Sequence, residues 1–131
     1  MDQLVSGSWV EALGLVLTEV SGELVRGYVE LDQRHHTPFG VVHGGVYALI
    51  VETVGSVGAV AAVSDRGQYA VGVNNSTDFL RPVERGRLDV VARPLQQGRT
   101  QQLWSVELTR AVDGKPAALG RLRLQNVSRP G

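Results

Sequence analysis

Residues 43–63, HGGVYALIVETVGSVGAVAAV, decide the fold of this 131-residue chain. The stretch contains no proline, carries one charge, at Glu52, and consists otherwise mainly of small and apolar residues. Its length and composition predict one long α-helix. Because this helix is apolar nearly all round, we expect it to be buried on more than one side.

A β-hairpin precedes the predicted helix. Its arms are residues 15–20 and 23–31, each rich in valine and leucine. Apolar and small residues of the second arm share one face, namely Val25, Gly27, Val29 and Leu31. A weaker helical pattern, over residues 6–13, comes before the hairpin, with Ser6 or Ser8 as its cap.

Four strand-like segments follow the helix. They lie at about 68–80, 86–96, 99–112 and 116–127. Proline and glycine between them mark turns, and the 22 valines and 16 glycines of the chain favour many strands. We therefore predict one α+β domain over residues 1–131, in which an antiparallel sheet, ending in a strand meander, wraps one face of the helix. Since one small sheet covers only one side of the helix, we expect at least a dimer.

The charge balance and the lack of cysteine exclude several classes of protein. Lysine and arginine together number 13, as do aspartate and glutamate, and this neutral total argues against bulk nucleic-acid binding. Zero cysteines exclude disulfides, thiolate metal sites and cysteine nucleophiles. The amino terminus lacks the basic region of a secretory signal, and Glu52 interrupts the one apolar run near membrane-spanning length. We expect a cytoplasmic protein with no membrane and no nucleic-acid partner.

Basic residues are concentrated in the second half of the chain. Residues 1–65 carry two basic and eight acidic groups, whereas residues 66–131 carry eleven basic and five acidic groups. An arginine-rich half can hold a compact phosphate-bearing ligand, because guanidinium matches phosphate geometry. Taken singly, most of these arginines are better explained as solvated strand faces.

Glu52 is the candidate functional residue of the helix. Helical spacing places it on a face of small residues, with an apolar face opposite. The first face carries Gly45, Ala48, Ser56, Ala59 and Val63, and the second Val46, Leu49, Ile50, Val54 and Val57. Burying an ionised carboxylate without a partner is costly, so such a group in a cavity indicates a functional site. The alternative is a glutamate that an arginine of another strand or chain satisfies, or one that borders solvent.

The start of the helix offers a second functional group. Gly44 and Gly45 stand at the loop-to-helix junction, where free N–H groups and the helix dipole favour negative charge. A carbonyl that becomes an oxyanion would be stabilised there. Gly44 and Glu52 are eight residues apart, roughly 12 Å along the axis, so one helix hardly places both beside one carbonyl. We therefore predict a site shared between antiparallel helices of two chains, with two sites per dimer.

Four segments together resemble the hotdog-fold acyl-CoA thioesterases. They are TPFGVVHGG (37–45), ETVGS (52–56), DFLRPV (78–83) and GRTQQLW (98–104). The resemblance covers about residues 10–127 and is closest to the branch with a catalytic glutamate on the central helix, which includes 4-hydroxybenzoyl-CoA and phenylacetate-pathway thioesterases. It implies a sheet wrapped around one central helix, and hydrolysis of an aromatic or medium-chain acyl-CoA to the free acid and CoA.

The resemblance assigns roles to individual residues. Glu52 would be the nucleophile or the general base, the Gly44 amide would polarise the thioester carbonyl, and His43 would help to shape the carbonyl pocket. Ser56, which would contact the acyl group or the attacking water, and Thr37 complete the catalytic set. The candidates for binding the substrate are Phe39, Gly45, Tyr47, Val73, Ser76, Thr77, Arg81 and Arg99. The two arginines would bind the CoA phosphates.

Thr37 departs from the family pattern, because many members carry glutamine or asparagine at this position. The amide of those residues helps to orient the carbonyl or the water, and threonine is too short to do the same. His35 or His36 is the candidate to compensate. Trp104, on a predicted strand, is expected in the core or in an interface.

We expect no cofactor except CoA as part of the substrate, and no metal, because the three histidines lack a metal-ligating spacing. The expected partners are a small-molecule acyl-CoA and further copies of the chain, as a dimer with shared sites that pairs into a homotetramer. Two alternatives stay open at this point. One is a non-catalytic acyl-CoA-binding hotdog protein, and the other is a thioesterase for acyl-carrier-protein esters.

Overall fold

One antiparallel sheet of six strands packs around one side of a long helix in the computed structural model, which describes residues 8–130. In chain order the elements are α1 (Trp9–Leu13), β1 (Leu15–Val20), β2 (Val25–Leu31), α2 (Gly44–Val63), β3 (Gln68–Phe79), β4 (Gly86–Gln97), β5 (Gln101–Arg110) and β6 (Pro116–Ser128). The predicted hairpin, long helix and four later strands are confirmed, with small shifts at their ends. Ser8 stands at the cap position of α1, and Ser6 lies outside the described residues.

The strand order is β1-β2-β4-β5-β6-β3, and all neighbouring strands are antiparallel. The predicted meander is wrong at one point, because β3 pairs with β6 at the edge of the sheet and not with β4. The connection between β3 and β4, residues 80–85, is too long for a two-residue hairpin turn, and β4 enters the sheet beside β2. Within the described chain β3 therefore has one unpaired edge.

The core lies between α2 and the inner face of the sheet. The predicted inner face of β2 is confirmed, since its alternate residues from Val25 to Leu31 are buried. Trp104 on β5 is fully buried, which confirms its predicted core position. Its ring rests on the backbone of α2 at Gly58, where a β-carbon would lie 2.5 Å from the ring Cζ3. Only glycine permits this approach.

Hydrogen bonds of Gln102 connect the second half of α2 to the sheet. Its Nε2 donates to the Ala59 carbonyl at 3.0 Å and to Asn126 Oδ1 at 2.8 Å, while Trp104 Nε1 donates to Gln102 Oε1 at 2.9 Å. This packing buries Ala59 and Val63. Ala59 and Val63 share the helical face of Glu52, as predicted, but they are closed off from any ligand, because the sheet curls around the end of the helix.

The other side of α2 is not covered by the sheet. We call it the α2 strip, and its exposed or half-buried residues are Gly45, Ala48, Leu49, Glu52, Thr53, Ser56, Val57 and Val60. Leu49, three residues before Glu52, belongs to this strip, so its predicted place opposite Glu52 is wrong, while Val57 lies at the far edge of the strip. An apolar strip of this kind on a helix indicates a surface that another group covers.

The apolar composition of α2 is explained by its packing. By length and composition, the helical run Gly44–Arg66 is sufficient to cross a membrane, but a core helix of a sheet protein passes the same test. Here α2 packs its buried side against the inner face of the sheet.

Candidate active site

A cleft of about 590 Å³ opens beside the α2 strip, and Glu52 lies in its wall. Its lining comes from α1, α2 and β3, namely Trp9, Gly45, Ala48, Leu49, Glu52, Asn75, Thr77 and Phe79. Glu52 is the one charged residue of this described lining, and its side chain is exposed in the single chain. The sheet of the same chain does not bury Glu52, because this residue lies on the side of α2 that faces away from the core.

Glu52 has a hydrogen-bond partner on β3, Asn75. Asn75 Nδ2 donates to Glu52 Oε1 at 3.2 Å and to the Ala48 carbonyl at 2.9 Å. Thr77 Oγ1 in turn donates to Asn75 Oδ1 at 2.7 Å. Because the Ala48 carbonyl can only accept, these contacts define which end of the Asn75 amide faces the helix. The carboxylate thus lies at the end of a hydrogen-bond chain that begins on β3.

A β-bulge explains why Asn75 faces α2. The register between β3 and β6 shifts between Gly72 and Asn74, so Val73 is an extra residue in β3. Strict alternation from Gly72 would bring Asn74 to the inner face, whereas the extra residue brings Asn75 there instead. Ser76, predicted to contact CoA, consequently faces outward, and Val73, predicted to be a pocket wall, lies at the bulge outside the cleft lining.

The first turn of α2 presents the Gly44 N–H group. His43 is the N-cap residue, and its Nδ1 accepts from the Gly45 N–H at 2.8 Å. The Val46 N–H donates to the His43 carbonyl at 2.9 Å. Among the described residues the Gly44 N–H has no acceptor. A bound carbonyl oxygen can take this hydrogen bond.

An aromatic ring covers the same turn. Phe79 packs directly on Gly44, where any β-carbon would collide with its ring, and the Phe79 and Tyr47 ring centroids are 5.7 Å apart. Tyr47, predicted to line the pocket, is 2% exposed, and its hydroxyl donates to the Arg81 carbonyl at 3.3 Å. Phe79 is 56% exposed and takes the wall position in its place. Phe39 is 90% exposed and lies outside the cleft lining.

The buried position of Tyr47 predicts a loss of stability at alkaline pH. Burial raises the pKa of the Tyr47 phenol above its ordinary value of 10.0. The unfolded chain then releases this proton at lower pH than the folded chain, so the free energy of unfolding falls as pH rises past about 10. Urea unfolding at pH 8 and near pH 11 should show a smaller loss for Tyr47→Phe than for the wild type. Equal losses in both proteins would contradict this prediction.

The loop before α2 keeps Thr37 out of the cleft of its own chain. Thr37 Oγ1 accepts a hydrogen bond from the Phe39 N–H at 3.1 Å, so it is used within the loop itself. Both histidines proposed to compensate are engaged elsewhere. His35 is buried with its Nε2 2.9 Å from the Leu13 carbonyl, and His36 Nε2 lies 2.6 Å from the Glu84 carbonyl. Neither ring nor Thr37 appears in the lining of the cleft around Glu52.

The remaining predicted site residues are divided between the cleft and its surroundings. Gly45 and Thr77 line the cleft. Ser56, one turn after Glu52, borders a second, apolar groove of about 260 Å³ together with Val20, Val57, Val60 and Ala61. Arg81 Nη1 donates to the Pro116 carbonyl at 2.8 Å, whereas the Arg99 guanidinium is exposed and has no partner among the described residues. Residues 8–130 contain no group of three histidine or acidic side chains suited to a metal ion.

This chain is similar to known proteins in both sequence and structure. The model of the thioesterase superfamily matches residues 39–117. A candidate esterase of Mycobacterium tuberculosis is 40% identical over 117 residues, 88% of this chain and 83% of the relative. The proofreading thioesterase EntH of Cronobacter sakazakii is 38% identical over 100 residues, 76% of this chain and 72% of the relative. The solved structure of a Haemophilus influenzae thioesterase has a TM-score of 0.90 at 31% identity, covering 97% of this chain and 87% of that one.

Proposed function

The chain belongs to the thioesterase superfamily, and we propose that it hydrolyses acyl-CoA thioesters, with Glu52 as the nucleophile or general base and the Gly44 amide polarising the carbonyl. The predicted family and the predicted hotdog fold are confirmed. One observation carries the proposal. The Glu52 carboxylate is held by a hydrogen bond in the wall of a cleft whose other walls include two aromatic rings, Trp9 and Phe79.

Either role of Glu52 gives the same balanced reaction. As a general base, the carboxylate takes a proton from a water whose oxygen attacks the carbonyl carbon. As a nucleophile, it attacks that carbon itself and forms an anhydride, which water then opens. In both routes the C–S bond breaks, the sulfur leaves as the CoA thiolate and takes up a proton, and the acid is released. Negative charge on the carbonyl oxygen is stabilised by the amide at the start of a helix.

A second copy of the chain would complete the site. Gly44 and Glu52 lie at opposite ends of two helical turns of α2, so one carbonyl cannot meet both groups of one chain. The α2 strip offers Leu49, Val57 and Val60 as an apolar surface for an antiparallel partner helix. The dimer then has two sites, each with Glu52 of one chain and Gly44 of the other. We further propose that dimers pair into tetramers.

The acyl group is proposed to be aromatic or of medium length, since Trp9, Leu49 and Phe79 give the cleft a largely apolar wall. The proposal is tested by thiol release, followed with a thiol-reactive dye, across aromatic and aliphatic acyl-CoAs and the same acyl groups on acyl-carrier protein. We expect turnover of CoA esters, fastest for one acyl class. Turnover restricted to carrier-protein esters would replace CoA as the carrier. Tight CoA binding without any turnover would identify a binding protein instead.

Arg99 is proposed to bind the CoA phosphates, because its guanidinium is exposed and has no partner among the described residues. Arg99→Ala should raise KM for acyl-CoA by about tenfold, the loss of one charge-assisted hydrogen bond. KM for a truncated thioester that lacks the nucleotide should stay unchanged. Arg87→Ala is the matched control, since the Arg87 guanidinium already pairs with Asp89 at 2.8 Å. Equal effects on both substrates would remove the phosphate role of Arg99.

Arg81 is the second proposed phosphate ligand, although part of its guanidinium donates to the Pro116 carbonyl.

We propose that the enzyme acts in the cytoplasm and without a metal or other cofactor.

A further inference from the structure

Two residues of β3, Gly72 and Asn75, lie against the two oxygens of the Glu52 carboxylate. Asn75 Nδ2 donates to Oε1 at 3.2 Å. Oε2 lies over Gly72, where a β-carbon would be only 2.7 Å away. One oxygen therefore has a hydrogen bond, and the other has room that exists only because residue 72 has no side chain.

We propose that Gly72 and Asn75 are positioning residues, which set the rotamer of Glu52 so that Oε2 points to the reacting atoms. This inference rests on the proposed function, because it requires Glu52 to be the catalytic group. Asn75 holds Oε1 and leaves Oε2 without a donor among the described residues. Gly72 leaves Oε2 unobstructed on the side of β3.

Asn75 is itself rigidly held, which a positioning role requires. Its amide donates to the Ala48 carbonyl, one turn before Glu52 on the same helix, and accepts from Thr77 Oγ1. The amide is thus tied to the backbone of α2 as well as to β3. A hydrogen bond from so constrained a donor fixes the carboxylate at little further entropic cost.

The β-bulge at Val73 is what creates this arrangement. Without the extra residue, position 74 would face the helix and the spacing between the two contacts would be lost. Bulges that re-aim a side chain are frequent beside active sites. The bulge therefore brings both Gly72 and Asn75 against the Glu52 carboxylate.

Gly72→Ala tests the room left for Oε2. The new methyl group would lie 2.7 Å from Glu52 Oε2, at the end of a flexible side chain, and 3.5 Å from Leu122. The fold should therefore accept it, and the Glu52 carboxylate should turn away. A misplacement of this size lowers kcat by about 10- to 100-fold. We expect KM to stay within about twofold and the melting temperature to change little.

A second variant separates positioning from packing. Glu52→Asp shortens the side chain, so the carboxylate should no longer meet a methyl group at position 72. If the two substitutions acted independently, their fold-losses in kcat would multiply. The double variant Gly72→Ala/Glu52→Asp should instead have a higher kcat than this product predicts. A product of independent losses would mean that residue 72 does not act through Glu52.

Asn75→Leu tests the hydrogen bond with a side chain of similar size, and Asn74→Leu is its control on the outer face of the same strand. We expect kcat to fall by about 10-fold or more for Asn75→Leu with KM unchanged, and no change for Asn74→Leu. Wild-type kcat in both Gly72→Ala and Asn75→Leu would overturn the inference. If Glu52→Ala also kept its activity, the proposed function itself would fail, so the two failures are distinguishable.

Discussion

Glu52→Ala is expected to lower kcat by about 10³-fold or more, because Glu52 is the one charged group among the described residues that line the cleft. The fold should persist, since the side chain lies outside the core, and the proposed dimer should persist, because the apolar residues Leu49, Val57 and Val60 of the α2 strip are unchanged. Glu52→Gln should lose nearly as much, because it keeps the shape but not the basic oxygen. Steady-state thiol release on the best ester of the panel measures both variants.

Glu107→Gln is the matched control for Glu52→Gln. Glu107 is an exposed carboxylate of β5, and its position in the strand, between the buried residues Val106 and Leu108, places it on the outer face of the sheet. This variant should turn over at the wild-type rate. A Glu52→Ala protein that hydrolyses the ester as fast as the wild type would remove Glu52 from the mechanism.

Trp104→Ala is expected to have the largest effect on stability, a loss of about 3–5 kcal/mol in the free energy of unfolding. The ring is fully buried, lies against Gly58 of α2, and donates to Gln102 Oε1. Removing it leaves a cavity beside the helix and also leaves Gln102 Oε1 without its donor. Urea unfolding at one fixed protein concentration measures the loss, because the proposed dimer would make stability depend on concentration.

Trp104→Phe divides this loss into its two parts. The phenyl ring keeps most of the packing against Gly58, but Gln102 Oε1 loses its donor, at a cost of about 1–3 kcal/mol. We therefore expect an unfolding free energy between those of the wild type and Trp104→Ala. A Trp104→Ala protein within about 1 kcal/mol of the wild type would contradict the packing described for α2.

The elements of the fold were predictable because their signals are local. The apolar run of α2 and the valine-rich segments between glycine and proline turns carry the periodicities of helix and strand. Pairing between strands depends on residues far apart in the chain, so the place of β3 beside β6 was not predictable. The curl of the sheet over Ala59 and Val63 is likewise a tertiary effect that helical spacing does not contain.

The candidate site divides in the same way. Glu52 stands out in the sequence because it is the one charge in an apolar helix, and the glycines at 44 and 45 mark the start of that helix. Asn75 was missed because the bulge at Val73 reverses which residues of β3 face inward. Trp9 and Phe79 gave no periodic signal, since each reaches the cleft from the end of an element. Tyr47 was predicted to line the pocket, but its side chain is buried.

The most direct test of the central claim is to quantify both products, acid and CoA, for the wild type and Glu52→Ala on the same acyl-CoA. The account predicts equal amounts of acid and CoA from the wild type, and none above the uncatalysed background from Glu52→Ala. Wild-type protein that binds the ester but releases neither product, or a Glu52→Ala protein that releases both at the wild-type rate, would contradict it.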